Sequence, residues 1–205
     1  MSWHKYYRAP LTLEGLLGNL YGQRDFLIEI VSSHPNKVLE VGTGSGGMSI
    51  FLSWLGISII GIDIDPEVVN KAILEANQLH SPAKFEVADT FQLPYGENAF
   101  DLIFHQGLLE HFSDDDIRRM LTEQLRVARR VVLSVPNSWY PRKDFGDERL
   151  MSKHRWESIL SSFNIVKSYY YCPKRFPRPW LWLKPVQYLA VIEKKTGPIP
   201  SPSGS

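Results

Sequence analysis

An α/β domain, with a mainly parallel sheet and helices on both faces, is predicted by three features of this sequence. Short β-branched runs alternate with helical patterns along most of the chain. The first clear strand breaks into a glycine-rich turn, VLEVGTGSGG at 38–47, and a helical pattern follows at once. The second ends in GIDIDP, where an acid and a proline open another helix. At 205 residues the chain fits one domain. Residues 1–195 are assigned to it, and the Pro-, Gly- and Ser-rich tail 196–205 is expected to be disordered.

The elements follow in order. Between Leu13 and Ser33, apolar residues such as Leu16, Leu20, Phe26, Leu27 and Ile30 recur at helical spacing, and Gly18 and Gly22 weaken or split that helix. Lys37 to Val41 reads as a buried strand, Gly46 to Leu55 as a helix ended by Gly56, and Ile57 to Ile62 as strand two. Asp65 caps a helix to His80, with Pro66 at its first position. Lys84 to Ala88 and Phe100 to Phe104 are strands three and four. Ser113 caps a helix to Ala128 whose start carries Asp114, Asp115 and Asp116 and whose end carries Arg126 and Arg129, both matched to the helix dipole. Arg130 to Val135 is strand five, and Ser152 caps a helix to about Ser162. Ile165 to Tyr171 and Gln187 to Glu193 are two late strands joined by CPKRFPRPWLWLKP.

Composition narrows the setting. A formal net charge of +1 gives no footprint for general nucleic-acid binding, so none is expected. Cys172 is the single cysteine, which excludes an internal disulfide framework and favours a reducing compartment. The N-terminal MSWHKYYRAP lacks a signal peptide's apolar core, and no apolar run is long enough to span a bilayer. The expectation is a cytoplasmic protein, monomeric or weakly dimeric.

In such folds ligands bind beyond the carboxyl ends of the strands. Gly42, Gly44 and Gly46 allow a tight turn whose amides face a ligand at the start of a helix. Gly42, Gly44 and Gly47 also match the dinucleotide fingerprint, and a turn that merely packs helix on sheet is a third reading. Three acids bear on the choice. Asp63, about twenty residues past the loop, suits ribose hydroxyls. Asp89, ending strand three, suits an exocyclic amine. Glu40 sits two residues before the first glycine, where its charge would repel a diphosphate and help a cation.

VLEVGTGSG, IGIDIDPEVV, FEVADTFQLPY and FDLIFHQGLLEHF, in this order and spacing, resemble successive motifs of class I S-adenosylmethionine-dependent methyltransferases, over about Lys37 to Asn137. The resemblance implies a Rossmann-like seven-stranded sheet in the order 3-2-1-4-5-7-6, with the last strand antiparallel. It implies S-adenosylmethionine as cofactor, which carries a sulfonium and an ammonium and no diphosphate. It places Gly42, Thr43, Gly44 and Gly46 near the methionine part, with Glu40 beside them. Asp63 would take the ribose hydroxyls, Ile64 would pack on the adenine, Asp89 and Thr90 would hold its edge, and Gln106 would lie beside the methyl end.

Methyl transfer is an in-line displacement that depends mainly on positioning, with a base optional. His105 and His111 are the candidate catalytic residues, and the strand phase that aims His105 is open. No catalytic metal is expected, because the end of strand four holds His105 and Gln106 and because Asp114 to Asp116 are explained as helix-start charges. HQGL stands where amino-methylating DNA and protein enzymes often carry an Asn/Asp-Pro-Pro-aromatic stretch, which favours a small-molecule methyl acceptor. A protein or RNA acceptor, and a non-catalytic cofactor-binding module, are the alternatives. Trp139, Tyr140, Trp156, Phe176, Trp180 and Trp182 form a possible aromatic wall. Arg142, Lys143, Lys174, Arg175 and Arg178 are possible contacts for an acidic acceptor, and Tyr6, Tyr7 or Arg8 a possible lid.

Overall fold

The structure, a computed structural model, describes residues 9–141, 146–172 and 184–195. Helices α1 (Leu13–Gly22) and α2 (Arg24–Val31) come first, divided at Gln23, so the long helical pattern is split where Gly22 weakens it. Then follow β1 (Lys37–Val41), α3 (Gly47–Trp54), β2 (Ser58–Asp63), α4 (Pro66–Gln78), β3 (Lys84–Val87) and β4 (Phe100–Gln106). A 3₁₀ turn at Leu109–His111 leads to α5 (Asp114–Val127), β5 (Ala128–Pro136), α6 (Lys153–Ile159), a second 3₁₀ turn (Leu160–Ser162), β6 (Asn164–Tyr171) and β7 (Gln187–Glu193).

The sheet has the order β3-β2-β1-β4-β5-β7-β6, as the motif resemblance implies. Strands β1 to β5 pair in parallel, and β7 inserts antiparallel between β5 and β6. Three caps foreseen in the sequence form: Asp65 accepts from Glu67 N, Ser113 from Asp116 N and Ser152 from Arg155 N.

Strand period two divides the core. Leu39, Ile103, Val131 and Leu133 pack under α5 and α6, while Val38, Leu102, Phe104 and Val132 pack under α1, α2 and α3. β4 runs two residues beyond its expected end, because Gln106 pairs with Ser134 and Gly107 N donates to Ser134 O at 2.9 Å. That extension fixes the phase of His105 and Gln106. Trp156 belongs to this core and is not part of a substrate wall: it is fully buried, stacked on Tyr188 with centroids 6.4 Å apart. Among the described residues, no helix is long and apolar enough to cross a membrane.

Candidate functional site

The carboxyl ends of β1 and β2 meet around the glycine loop. Gly42 N and Thr43 N both donate to Ile62 O at 2.9 Å, which locks the loop onto the neighbouring strand. Gly42, Gly44 and Gly46 all have left-handed φ, at 69°, 53° and 74°, which a side chain would strain. Gly61 has a packing role that the sequence reading missed. A Cβ there would lie 2.5 Å from Thr43 Oγ1 and 2.7 Å from the Phe85 ring.

Glu40 lies beneath this loop, almost fully buried. Its Oε2 accepts from Thr43 Oγ1 at 2.8 Å and from Ser49 Oγ at 2.5 Å, so one carboxylate ties the loop to the first turn of α3. Burial pushes its pKa up to about 7, although those hydroxyls favour the charged form. Glu40 also lines a cleft, together with Gly42, Thr43, Met48 and Gln106. The opposite wall is α1 and its approach, through Leu11, Leu16, Asn19 and Leu20. Sequence reasoning took Leu16 and Leu20 only as core residues. Their apolar spacing did signal a buried helix face, but nothing local says that the face borders a cleft.

On the neighbouring strands, Asp63 is half-buried and burial raises its pKa, while the amides of Asp65, Gly44 and Ile64 pull the other way. Ile64 is 65% exposed, so it offers an apolar face at the sheet edge. Ala88 N donates to Asp63 O at 3.0 Å and joins the β3 end to the β2 end. Asp89 is exposed, and its Oδ1 accepts from Phe91 N at 2.9 Å. Thr90 Oγ1 accepts from Gln124 Nε2 at 3.2 Å.

The two histidines part company. Gln106 reaches the cleft, so His105 faces the other way, into the layer beneath α5, with no exposed surface. Burial lowers its pKa to about 3 and the Gln124 side chain offsets part of that. It is therefore a neutral interior residue, which corrects its assignment as a catalytic candidate. His111 stays near the edge, its Nδ1 3.0 Å from Asp147 Oδ1. Ligand atoms of His111, Asp147 and Glu148 lie within 4.8 Å of one another, a grouping that the expectation of no metal did not consider. Glu110 beside them is buried with a pKa raised to about 8 by burial, then by the charges of Glu148 and Asp147.

On the β5 side, Trp139 packs on Tyr170 at 5.2 Å with Lys184 Nζ 5.2 Å over its ring, and Tyr140 is half-buried. Arg142, Lys143, Lys174, Arg175, Phe176, Arg178, Trp180 and Trp182 lie outside the described residues, as do Tyr6, Tyr7, Arg8 and the 196–205 tail.

A family model described as a methyltransferase domain matches residues 38–130, from β1 to the start of β5. The matched segment is similar to the class I S-adenosylmethionine-dependent methyltransferases in its ordered motifs, and the sheet has the strand order that this resemblance implies. Among relatives, ajmaline N-methyltransferase of Rauvolfia serpentina is 29% identical over 188 residues, covering 83% of this chain and 62% of that protein. The chloroplastic tocopherol O-methyltransferase of Arabidopsis thaliana is 32% identical over 138 residues, covering 65% of this chain and 38% of the relative. The chain thus spans less than two thirds of either relative. Two solved structures share the fold. The PH0226 protein from Pyrococcus horikoshii OT3 superposes with a TM-score of 0.75 at 18% identity, over 93% of this chain and 99% of that one. Magnesium protoporphyrin IX methyltransferase from Synechocystis PCC 6803, with bound S-adenosylmethionine, gives 0.67 at 17% identity, over 94% and 89%.

The family's cofactor is S-adenosylmethionine, and the residues fit it. Among the described residues lining the cleft there is no Lys or Arg to balance a diphosphate, and Glu40 supplies a carboxylate suited to a cationic end. Glu40, Asp63 and Asp89 come at the ends of adjacent strands, and Ile64 is open between the last two.

Proposed function

We propose that this chain transfers a methyl group from S-adenosylmethionine to a small-molecule acceptor. The observation that carries the reading is the Glu40 cleft, which lies under the glycine loop and, among the described residues, is lined by a carboxylate and by no Lys or Arg. When bound, the cofactor supplies a methyl group already activated on a sulfonium. The protein's own contribution is placement. Glu40 holds the loop through Thr43 and Ser49 and gives the ammonium a counter-charge. Asp63 accepts from the ribose hydroxyls, Ile64 covers the base, and Asp89 with Thr90 holds the base edge.

Gln106 and the α1 residues close the cleft at the methyl end and limit water there. In this reading His111, whose Nδ1 lies 3.0 Å from Asp147 Oδ1, takes the proton from an acceptor that must lose one. The acceptor class agrees with relatives named for ajmaline, tocopherol and phosphoethanolamine. Calorimetry tests the cofactor: S-adenosylmethionine and S-adenosylhomocysteine should bind in the micromolar range and NAD should not. NAD binding without S-adenosylmethionine binding would sink the reading. The reaction in this reading needs no metal, so a chelator should leave turnover intact. Loss on chelation with recovery on adding a divalent cation would reassign the His111, Asp147 and Glu148 group.

A further inference from the structure

The bond between Thr90 and Gln124 has a direction, and that direction bears on what the site can recognise. Gln124 is wholly buried on α5 and donates from Nε2 to Thr90 Oγ1 at 3.2 Å. Its Oε1 and both ring nitrogens of His105 are buried without a hydrogen-bond partner, and the two side chains are neighbours. A neutral imidazole has one N–H to give. The unmet acceptor beside it is Gln124 Oε1, and burial makes an unmet acceptor costly. With Nε2 bonded to Thr90, the amide keeps its NH₂ on that side. Thr90 Oγ1 is then an acceptor on its inner side, so its single proton points outward.

Beside it stands Asp89, whose carboxylate offers acceptor oxygens. Its Oδ1 is engaged by Phe91 N, and the residue is exposed. An outward acceptor next to an outward donor matches an adenine edge, with its exocyclic amine and a bare ring nitrogen. Hypoxanthine presents the reverse pair, a carbonyl oxygen and a ring N–H.

We infer that Gln124 is a positioning residue that fixes the Thr90 hydroxyl as an outward donor and thereby sharpens selection of adenine over hypoxanthine. The inference rests on the proposed placement of the base at Asp89 and Thr90.

Calorimetry on the full chain tests it, with S-adenosylhomocysteine and its deaminated analogue, S-inosylhomocysteine. The wild type should prefer the adenosine ligand at least about hundredfold. Gln124→Met, close in volume, frees the Thr90 hydroxyl to turn and should lower the affinity ratio about tenfold. Thr90→Val should lower the ratio by the same factor, and the double variant should lose no more than either single one. A packing role alone would weaken both ligands equally, and an unchanged ratio in Gln124→Met overturns the inference. Thr90→Val changes a half-buried loop residue and costs the interior only the Gln124 bond, so an unchanged ratio there overturns it even if Gln124→Met fails to fold. Equal binding of both ligands by the wild type also overturns it while leaving the proposed function standing. Binding of neither ligand is the different result that defeats the proposed function itself.

Discussion

Along the carboxyl edge of the sheet, the turns after β1, β2 and β3 are each closed by backbone amides that donate to the next strand or to a carboxylate two residues earlier, whereas the segments after β4 and β5 add ion pairs and side-chain bonds from distant residues. In the first half, Gly42 N and Thr43 N bond to Ile62 O, Asp65 N bonds to Asp63, and Phe91 N bonds to Asp89. In the second half, Arg149 reaches Phe112 O and Asp114 at 2.5 Å, Arg155 pairs with the same Asp114, and Asn137 donates to Pro185 O at 2.9 Å. The turns of the first half keep their amides and carboxylates close to the strand ends, where a ligand of fixed shape can meet them. The second is tied together by residues tens of positions apart, and in the proposed reading it is where the acceptor would meet the protein.

That division predicts separable effects. The largest should come from Asp63→Ala, which in the proposed placement removes two charge-assisted bonds to the ribose, each worth about 1.5 to 3 kcal/mol. Affinity for S-adenosylhomocysteine should fall roughly hundredfold with the melting temperature little changed. An unaltered dissociation constant would remove Asp63 from the site. A smaller effect, on acceptor binding alone, is expected from replacing Trp180 and Trp182 together by alanine. Acceptor binding should weaken by about 2 kcal/mol with cofactor affinity preserved. If instead only the melting temperature drops, the pair covers the sheet edge and takes no part in acceptor binding.

The smallest effect concerns pH. Burial raises the Glu40 pKa from 4.5 to about 7, so the folded protein favours the neutral carboxyl. The stability tied to that form is complete below pH 4.5 and is lost as pH rises through 7. A cationic ligand favours the ionised form instead. Cofactor affinity should therefore rise several-fold between pH 6 and pH 8 as Glu40 ionises, with protons released on binding. Glu40→Gln should flatten that dependence. A flat profile in the wild type would mean that Glu40 serves only to hold Thr43 and Ser49.

The same contrast explains what could be read from the sequence. Backbone-held loops require particular residues at particular places, so the glycines at 42, 44 and 46, the Asp65–Pro66 start and the Asp89 turn leave local signatures. The fold follows from them and from the strand periods. His105 went astray for a different physical reason. Successive strand residues face opposite sides, and the two further residues of β4 that fix the phase are set by pairing with Ser134, across the sheet. Trp156 went astray because an aromatic residue suits a pocket and a core equally, and only its partner Tyr188, 32 positions away in sequence (188 − 156), decides. Gly61 gave no sign because its neighbour Thr43 lies on another strand's loop.

The insertion of β7 between β5 and β6 sets a timetable for the chain as it leaves the ribosome. β1 to β5 can pair in parallel as soon as Pro136 has emerged, but β6 has no neighbour until Gln187–Glu193 arrives. β6 therefore waits as an unpaired strand with Tyr169, Tyr170 and Tyr171 uncovered, while β5 keeps an open edge. One late segment of seven residues closes both edges at once. A chain stopped short of Gln187 would thus lose two strands from the sheet, not one, and would expose the apolar flank that β7 normally seals.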